Sequence, residues 1–352
     1  MIYLVYRKEL IMCKHPLKGF KVGTTSNGKD DICVTSYDID YVVVHHDGHI
    51  ERCRGEPFNS LYRHPQDKLV SDFIELPCGK CIDCRIKYSK AWADRCMLEA
   101  SYYVSNYFIT LTYDDDHLPS SSYEDNGVIK QAPTLALRDV QLFLKRLRKQ
   151  GYKFRYFMCG EYGSTTLRPH YHICFFGLKI DDLQLLKKSK HGFDYYISDT
   201  ISKIWNQGFI IITPLTWETC AYTARYCLKK VNNNLTDFYE KYNVIPEFIT
   251  MSRNPGIARQ YYDEHKADIY EHDELHIFTS KGSRKRRPPR YFDKIFEEEF
   301  PEEFEKLKVN RAVMAEELKK LKLEQTDLNY LDMLAVEEQD LIRRTKSLVR
   351  EL

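Results

Sequence analysis

Tyr107-Phe108-Ile109-Thr110-Leu111-Thr112-Tyr113 is an unbroken run of aromatic, aliphatic and β-branched residues that stops at Asp114-Asp115-Asp116, and it predicts a β-strand. Polar residues from Ser120-Ser121-Ser122 to Asn126-Gly127 predict a loop. Leu137, Val140, Leu144 and Leu147 then recur at helical spacing up to Gly151, with Lys145, Arg146, Arg148 and Lys149 at the helix end. Two β-rich runs follow, Phe154 to Gly160 and His170 to Gly177, separated by the turn-forming Gly163-Ser164-Thr165-Thr166, so they pair as antiparallel neighbours. A short helix around Ile201 to Trp205, a strand Phe209 to Thr213 and a helix from Glu218 to Val231 complete the series. The order β-α-β-β-α-β-α is the ferredoxin-like split pattern: an α+β fold whose antiparallel sheet carries helices on one face and leaves the other free for ligands.

Around this centre the chain changes character. Residues 1–100 hold seven of the eleven cysteines and turn signals such as Asn27-Gly28 and Asp47-Gly48, and are expected to form a Cys-rich region without a large core. Residues 101–232 form the predicted catalytic domain, and 233–352 a basic linker with a helical tail. Lys281, Arg284, Lys285, Arg286, Arg287 and Arg290 meet no acidic residue there; Leu307, Met314, Leu321 and Leu328 follow at seven-residue spacing, too irregular for a coiled coil. A length of 352 residues, 43% of them apolar, excludes a disordered or fibrous chain. The net charge of +2 requires any nucleic-acid surface to be a local patch. No apolar run approaches the roughly 18 residues of a membrane span, and Arg7, Lys8 and Glu9 interrupt the apolar start, so a soluble protein without a signal peptide is expected. An odd number of cysteines, with Cys159 and Cys174 inside strand-like runs, points to reduced thiols in a cytosol.

In the strand His170-Tyr171-His172 the two imidazoles emerge on one face. Alone, the pair is no better than coincidence in a chain with twelve histidines. Glu161, nine positions earlier, can return its carboxylate to the same face across the turn, and two imidazoles with one carboxylate leave a divalent ion open positions for a phosphate oxygen. On the helix Tyr222-Thr223-Ala224-Arg225-Tyr226-Cys227-Leu228-Lys229-Lys230, residues four apart lie about 40° apart around the axis, which aligns Tyr222 and Tyr226, with Lys230 extending the stripe. Such a tyrosine pair is usually core packing. Its place after a metal triad gives it a chemical reading.

These motifs, in this order, resemble motifs I, II and III of the rolling-circle initiators, the histidine-hydrophobe-histidine (HUH) endonucleases, whose relaxase branch places its tyrosine ahead of the histidines instead. More narrowly, Cys78-Gly79-Lys80-Cys81-Ile82-Asp83-Cys84-Arg85, Gly160-Glu161-Tyr162-Gly163 and Arg168-Pro169-His170-Tyr171-His172 resemble the replication initiator of gokushoviruses, single-stranded DNA phages of the Microviridae, over roughly Cys13 to Arg290. Tyr171 departs from the smaller hydrophobe common in motif II, on the face away from the histidines. The resemblance implies an HUH endonuclease with a ferredoxin-like or RRM-like sheet. It implies Mg²⁺ or Mn²⁺ on Glu161, His170 and His172, polarising the scissile phosphate while a tyrosine attacks phosphorus. The products are a 5′-phosphotyrosine and a 3′-hydroxyl that primes a polymerase. Two tyrosines allow one to hold the displaced strand while the other cleaves the regenerated origin. Phenols titrate near ~10, so Lys229 or Lys230 is expected to favour the phenolate. Expected partners are single-stranded origin DNA and host helicase and DNA polymerase in the bacterial cytoplasm, since no Walker A run provides a helicase.

Cys78-x2-Cys81-x2-Cys84 has zinc-type spacing, with Cys13 the first choice for a fourth, structural ligand and Cys96 or Cys53 behind it. Tyr88 and Ser89 stand where a ferredoxin-type run requires Cys-Pro, which disfavours an iron–sulfur cluster. Unligated surface cysteines are the alternative. Between Thr134 and Leu178 eight basic side chains face two acidic ones, a local charge of +6; Arg168, Lys145, Arg146, Arg148 and Arg155 are the candidate DNA contacts. Two competing functions are kept: a plasmid initiator or HUH transposase with one essential tyrosine, and a non-catalytic zinc-containing DNA-binding protein.

Overall fold

The computed structural model describes residues 13–56, 64–163, 166–188, 193–226, 233–279 and 282–346. It divides into two compact units: residues up to Arg85 together with those from Val313, and Ile86–Ala312. Residues 86–100 and 233–312 therefore belong with the central sheet rather than with the flanking stretches to which the sequence reading assigned them.

The N-terminal unit is more regular than its turn-rich sequence suggests. Strands β1 (Leu17–Thr24), β2 (Asp30–Ser36), β3 (Tyr41–Val44), β4 (Ile50–Cys53), β5 (Lys68–Val70) and β6 (Phe73–Leu76) form two three-stranded sheets, ordered β2-β1-β6 and β4-β3-β5. The turn signals are real, since Gly28 and Gly48 have positive φ, but they close hairpins between strands too short to show clear alternation. Its apolar clusters are small, with Phe20, Ile39 and Val42 in one and Tyr41 and Val43 in another.

The second unit is built on a seven-stranded antiparallel sheet. Helix α1 (Ile82–Ala100) leads into β7 (Asn106–Thr112). The segment read as a polar loop is a hairpin, β8 (Ser120–Asp125) and β9 (Val128–Pro133), turning at Asn126-Gly127. Then come α2 (Leu137–Lys149), β10 (Arg155–Tyr162), β11 (Pro169–Phe176), β12 (Gln184–Lys188), β13 (Asp194–Ile197), α3 (Asp199–Trp205), β14 (Ile210–Pro214) and α4 (Trp217–Tyr226). Strands β12 and β13, absent from the sequence reading, extend one edge. After α5 (Asn233–Lys241), β15 (Phe248–Met251) forms the other edge beside β10, so the stretch beyond residue 232 is not a linker. The four central strands run β14-β7-β11-β10, the 4-1-3-2 order of a split βαβ sheet.

One expectation is overturned: helices cover both faces of this sheet. Val140, Phe143, Leu144 and Leu147 of α2 and Trp205 of α3 pack on Ile109, Leu111, Tyr171 and Ile173. On the opposite face Ala93, Cys96 and Ala100 of α1, with Cys220, Ala221 and Ala224 of α4, pack on Phe108, Phe157 and Cys174. The packing residues of these two helices are small, which lets them approach the sheet closely while giving little hydrophobic signal in the sequence. Helices α6 (Arg259–His272) and α7 (Arg290–Glu299) share a further core, beside a hairpin of β16 (Leu275–Thr279) and β17 (Gly282–Arg286).

Helices α8 (Pro301–Leu323) and α9 (Tyr330–Lys346) form the helical tail, and Leu328 falls between them, which breaks the heptad. Within the N-terminal unit, Glu337 of α9 pairs with Lys14 and Tyr330 donates to Glu75 at 2.6 Å. No helix among the described residues is long and apolar enough to cross a membrane.

Candidate active site

Strands β10 and β11 pair with Glu161 opposite His170 and Cys159 opposite His172. Directly opposed residues share a face and neighbours alternate, so Glu161, His170 and His172 point to one side and Gly160 and Tyr171 to the other. Gly160 makes room for this: a Cβ there would lie 3.0–3.1 Å from Leu135, Phe248 and Tyr171. Strand β7 continues the face, with Thr110 opposite His172.

Both imidazoles converge on one oxygen. Nε2 of His170 lies 2.8 Å and Nε2 of His172 2.7 Å from Oε1 of Glu161. Each Nδ1 has its own outer contact, the Arg168 carbonyl at 3.1 Å for His170 and the Thr110 hydroxyl at 2.9 Å for His172. Such outer partners orient metal-ligating histidines and set their tautomer. The Phe108 ring stacks on His172 at 5.2 Å. Burial by itself would raise the Glu161 carboxyl, but the hydrogen bonds from His170 and His172 outweigh it and hold the group at about 2. The three ligand atoms lie within 4.8 Å of one another, and the donor set of two imidazoles and one carboxylate fits a divalent ion.

Helix α4 packs on β10 and β11 and brings its tyrosine to this point. The Tyr222 hydroxyl donates to the same Glu161 Oε1 at 3.3 Å, and its ring meets His172 edge-on at 5.1 Å. The helix is tied to α1 at two places: the Trp217 indole N–H donates to Asp94 at 2.7 Å and the Ser89 hydroxyl to the Ala221 carbonyl at 2.6 Å. Burial pushes the Asp94 carboxyl up to about 6, against the opposing pull of the Trp217 hydrogen bond. Tyr226 ends α4 one turn beyond Tyr222, while Lys229 and Lys230 lie outside the described residues. The site is thus a cleft between sheet and helix, not the open sheet face expected. Thr110, Ser89, Asp94 and Trp217 were missed as site residues; only Thr110 carried a signal, its alternating position in the β7 run.

The candidate DNA contacts are dispersed. Lys145, Arg146 and Arg148 ride on α2, across the sheet from the triad; Arg146 donates to the Ile204 carbonyl and to Asn206, and Arg148 lies over Phe154. Arg155 is held in an ion pair with Glu99 and donates to the Pro255 carbonyl. Arg168 adjoins the triad, bonded to the Tyr113 carbonyl at 3.0 Å and paired with Asp115 at 2.7 Å.

Within the N-terminal unit Cys13 joins Cys78, Cys81 and Cys84, all four sulfurs within 4.8 Å of one another. Cys13 Sγ is 3.5 Å from Cys84 Sγ and 3.9 Å from Cys81 Sγ, far beyond a disulfide and close to the roughly 3.8 Å edge of a tetrahedron with ~2.3 Å metal–sulfur bonds. Gly79, at positive φ, turns the chain so that the N–H groups of Lys80 and Cys81 donate to Cys78 Sγ. Hydrogen bonds from Cys13 and Cys84 pull the Cys81 thiol below its usual range. Cys96 is buried in the sheet core and Cys53 packs against Tyr41 and Val43.

A triad and tyrosine on a split βαβ sheet define a nucleic-acid-processing class of site, and the comparisons agree in kind. The profile of a family described as replication-associated proteins of the ORF2 type matches residues 106–231. The chain is 34% identical over 294 residues to "Replication-associated protein ORF2" of Spiroplasma virus 4, covering 83% of this chain and 89% of that protein. It is 26% identical over 265 residues to "Replication-associated protein VP4" of Bdellovibrio phage phiMH2K, 72% of this chain and 77% of that protein. It is 33% identical over 164 residues to "Replication-associated protein ORF4" of Chlamydia phage 1, 44% of this chain and 38% of that protein. The chain belongs to this family of replication-associated proteins, of the microvirus type that its motifs resemble. No solved structure matches it.

Proposed function

We propose that this protein is an HUH endonuclease that starts rolling-circle replication of a phage genome, nicking and rejoining one strand at the origin. The supporting observation is the convergence of His170, His172 and the Tyr222 hydroxyl on one oxygen of Glu161. The Tyr222 or Tyr226 oxygen attacks phosphorus; the bond from phosphorus to the 3′ oxygen breaks, and that oxygen leaves with its electron pair and takes up a proton. The phenolic proton passes to solvent or a base, favoured by a cation such as Lys229 or Lys230. Glu161, His170 and His172 would hold Mg²⁺ or Mn²⁺, which supplies Lewis-acid polarisation of the phosphate. The 5′-phosphotyrosine retains the energy for rejoining, and the 3′-hydroxyl primes a host polymerase behind a host helicase in the cytoplasm. Incubation of the purified chain with supercoiled phage replicative DNA and Mn²⁺, with mapping of the nick, tests this. Binding without a nick would select the non-catalytic alternative, and cleavage confined to transposon ends the transposase.

Thr110→Val keeps the side-chain shape but removes the hydroxyl beside His172 Nδ1. It is expected to weaken Mn²⁺ binding by roughly 10- to 100-fold in calorimetric titration; unchanged affinity would deny Thr110 an orienting role. Cys13, Cys78, Cys81 and Cys84 are proposed to hold a structural Zn²⁺. Cys81→Ser is expected to remove one zinc per chain by elemental analysis and to lower the melting temperature, because metal binding contributes directly to folding. Zinc content equal to wild type would reject the site.

A further inference from the structure

Four of the chain's twelve histidines, His45, His46, His49 and His64, collect around the β3–β4 turn of the N-terminal unit. The contacts centre on one carboxylate. The Asp67 side chain is fully shielded from solvent, and it accepts the backbone N–H groups of His46 at 2.9 Å and His64 at 3.1 Å. His45 Nδ1 lies 3.1 Å from Asp67 Oδ2, and His46 Nδ1 lies 3.5 Å from Oδ1. The other nitrogen of His45 meets Glu51 at 3.2 Å, so this imidazole bridges two carboxylates and steadies Asp67. The His64 ring stacks on His46 with centroids 4.1 Å apart.

We propose that His46, His64 and Asp67 form a further metal site, for Zn²⁺ or another borderline transition ion, separate from the candidate active site and from the cysteine cluster. Their ligand atoms lie within 4.8 Å of one another. Ligands bonded at about 2.0–2.2 Å stand roughly 3.3–4.3 Å apart, so only a small contraction is required. The exposed His46 imidazole is free to rotate into place, its side chain being 48% accessible. His64 Nδ1 accepts the Gln66 N–H at 3.2 Å; that nitrogen is therefore unprotonated, and an ion would replace a long hydrogen bond. Two imidazoles favour a borderline ion over Mg²⁺ or Ca²⁺, and the single carboxylate offsets half its charge. Such an ion would clamp the β3–β4 turn to the start of β5. A unit with apolar clusters this small gains most from a crosslink of that kind.

The test counts zinc in the full chain after loading with Zn²⁺ and exhaustive dialysis. His46→Gln/His64→Gln is expected to hold one equivalent less per chain than wild type, with nicking unchanged. Cys81→Ser is expected to lose a different equivalent, so the triple variant loses two. Zinc content unchanged by the histidine pair would overturn the site, whatever the cysteine variant does. Should the pair fail to fold, the single surface change His46→Gln is read by electron paramagnetic resonance of bound Cu²⁺, in a chain already carrying His170→Ala/His172→Ala. A two-nitrogen hyperfine pattern that becomes a one-nitrogen pattern supports the site. A pattern indifferent to His46 overturns it.

Discussion

His170→Ala is expected to slow origin nicking by roughly a thousandfold or more while leaving origin binding nearly intact. Lewis-acid stabilisation of the transferring phosphate amounts to several kcal/mol, and each 1.36 kcal/mol is a factor of ten in rate. His170 suits the experiment because its ring is partly exposed at the cleft, so truncation leaves the core under Phe108 and His172 in place. The Glu161 carboxylate would lose one of the two hydrogen bonds that keep it ionised despite burial. Glu161→Gln should match the loss, since an amide is a poor ligand for the ion. Strand nicking of supercoiled DNA over a Mn²⁺ series, alongside filter binding of the origin, separates chemistry from recognition. A His170→Ala protein that nicks at near the wild-type rate would remove these residues from the reaction.

The second large effect concerns the nucleophile. On a single-stranded origin oligonucleotide, Tyr222→Phe and Tyr226→Phe are each expected to leave some covalent protein–DNA adduct, and the double substitution none. Tyr222 presents its hydroxyl at the triad, 3.3 Å from Glu161, so its loss should fall most heavily on the first cleavage. Tyr226 stands four residues on, about 6 Å along the helix axis, near enough to act once the DNA or helix shifts by a turn. Adduct is read by the altered gel mobility of labelled oligonucleotide after denaturation. Full adduct from the double variant would place the nucleophile elsewhere. Complete loss from one single variant would replace the relay by a one-tyrosine mechanism and move the protein toward the plasmid initiators.

The pieces of the site that the sequence made legible are those set by local geometry. Strand alternation puts His170 and His172 on one face whatever the rest of the chain does, and a tight turn returns Glu161 opposite His170 in the pairing observed. The helical repeat likewise brings Cys81 and Cys84 together at the start of α1, next to Cys78. From such local rules the sequence determined the α+β order, the motif order and the four-strand centre of the sheet.

Tertiary structure alone decided the partners that lie far away along the chain. Thr110 reaches His172 across 62 positions because β7 pairs with β11, and Cys13 reaches Cys84 across 71; loop closures of that length are set by packing and not by any local periodicity. It also decided what covers the sheet. The small side chains of α1 and α4 carry too little apolar contrast to declare a buried face, yet they seat these helices closely enough on the sheet to turn an open surface into a cleft, with the Tyr222 hydroxyl at the triad. The basic residues of α2 show the converse: a charge pattern is readable in sequence, but the packing of Val140, Phe143 and Leu147 sends that helix to the far side of the sheet, away from the residues it was expected to serve.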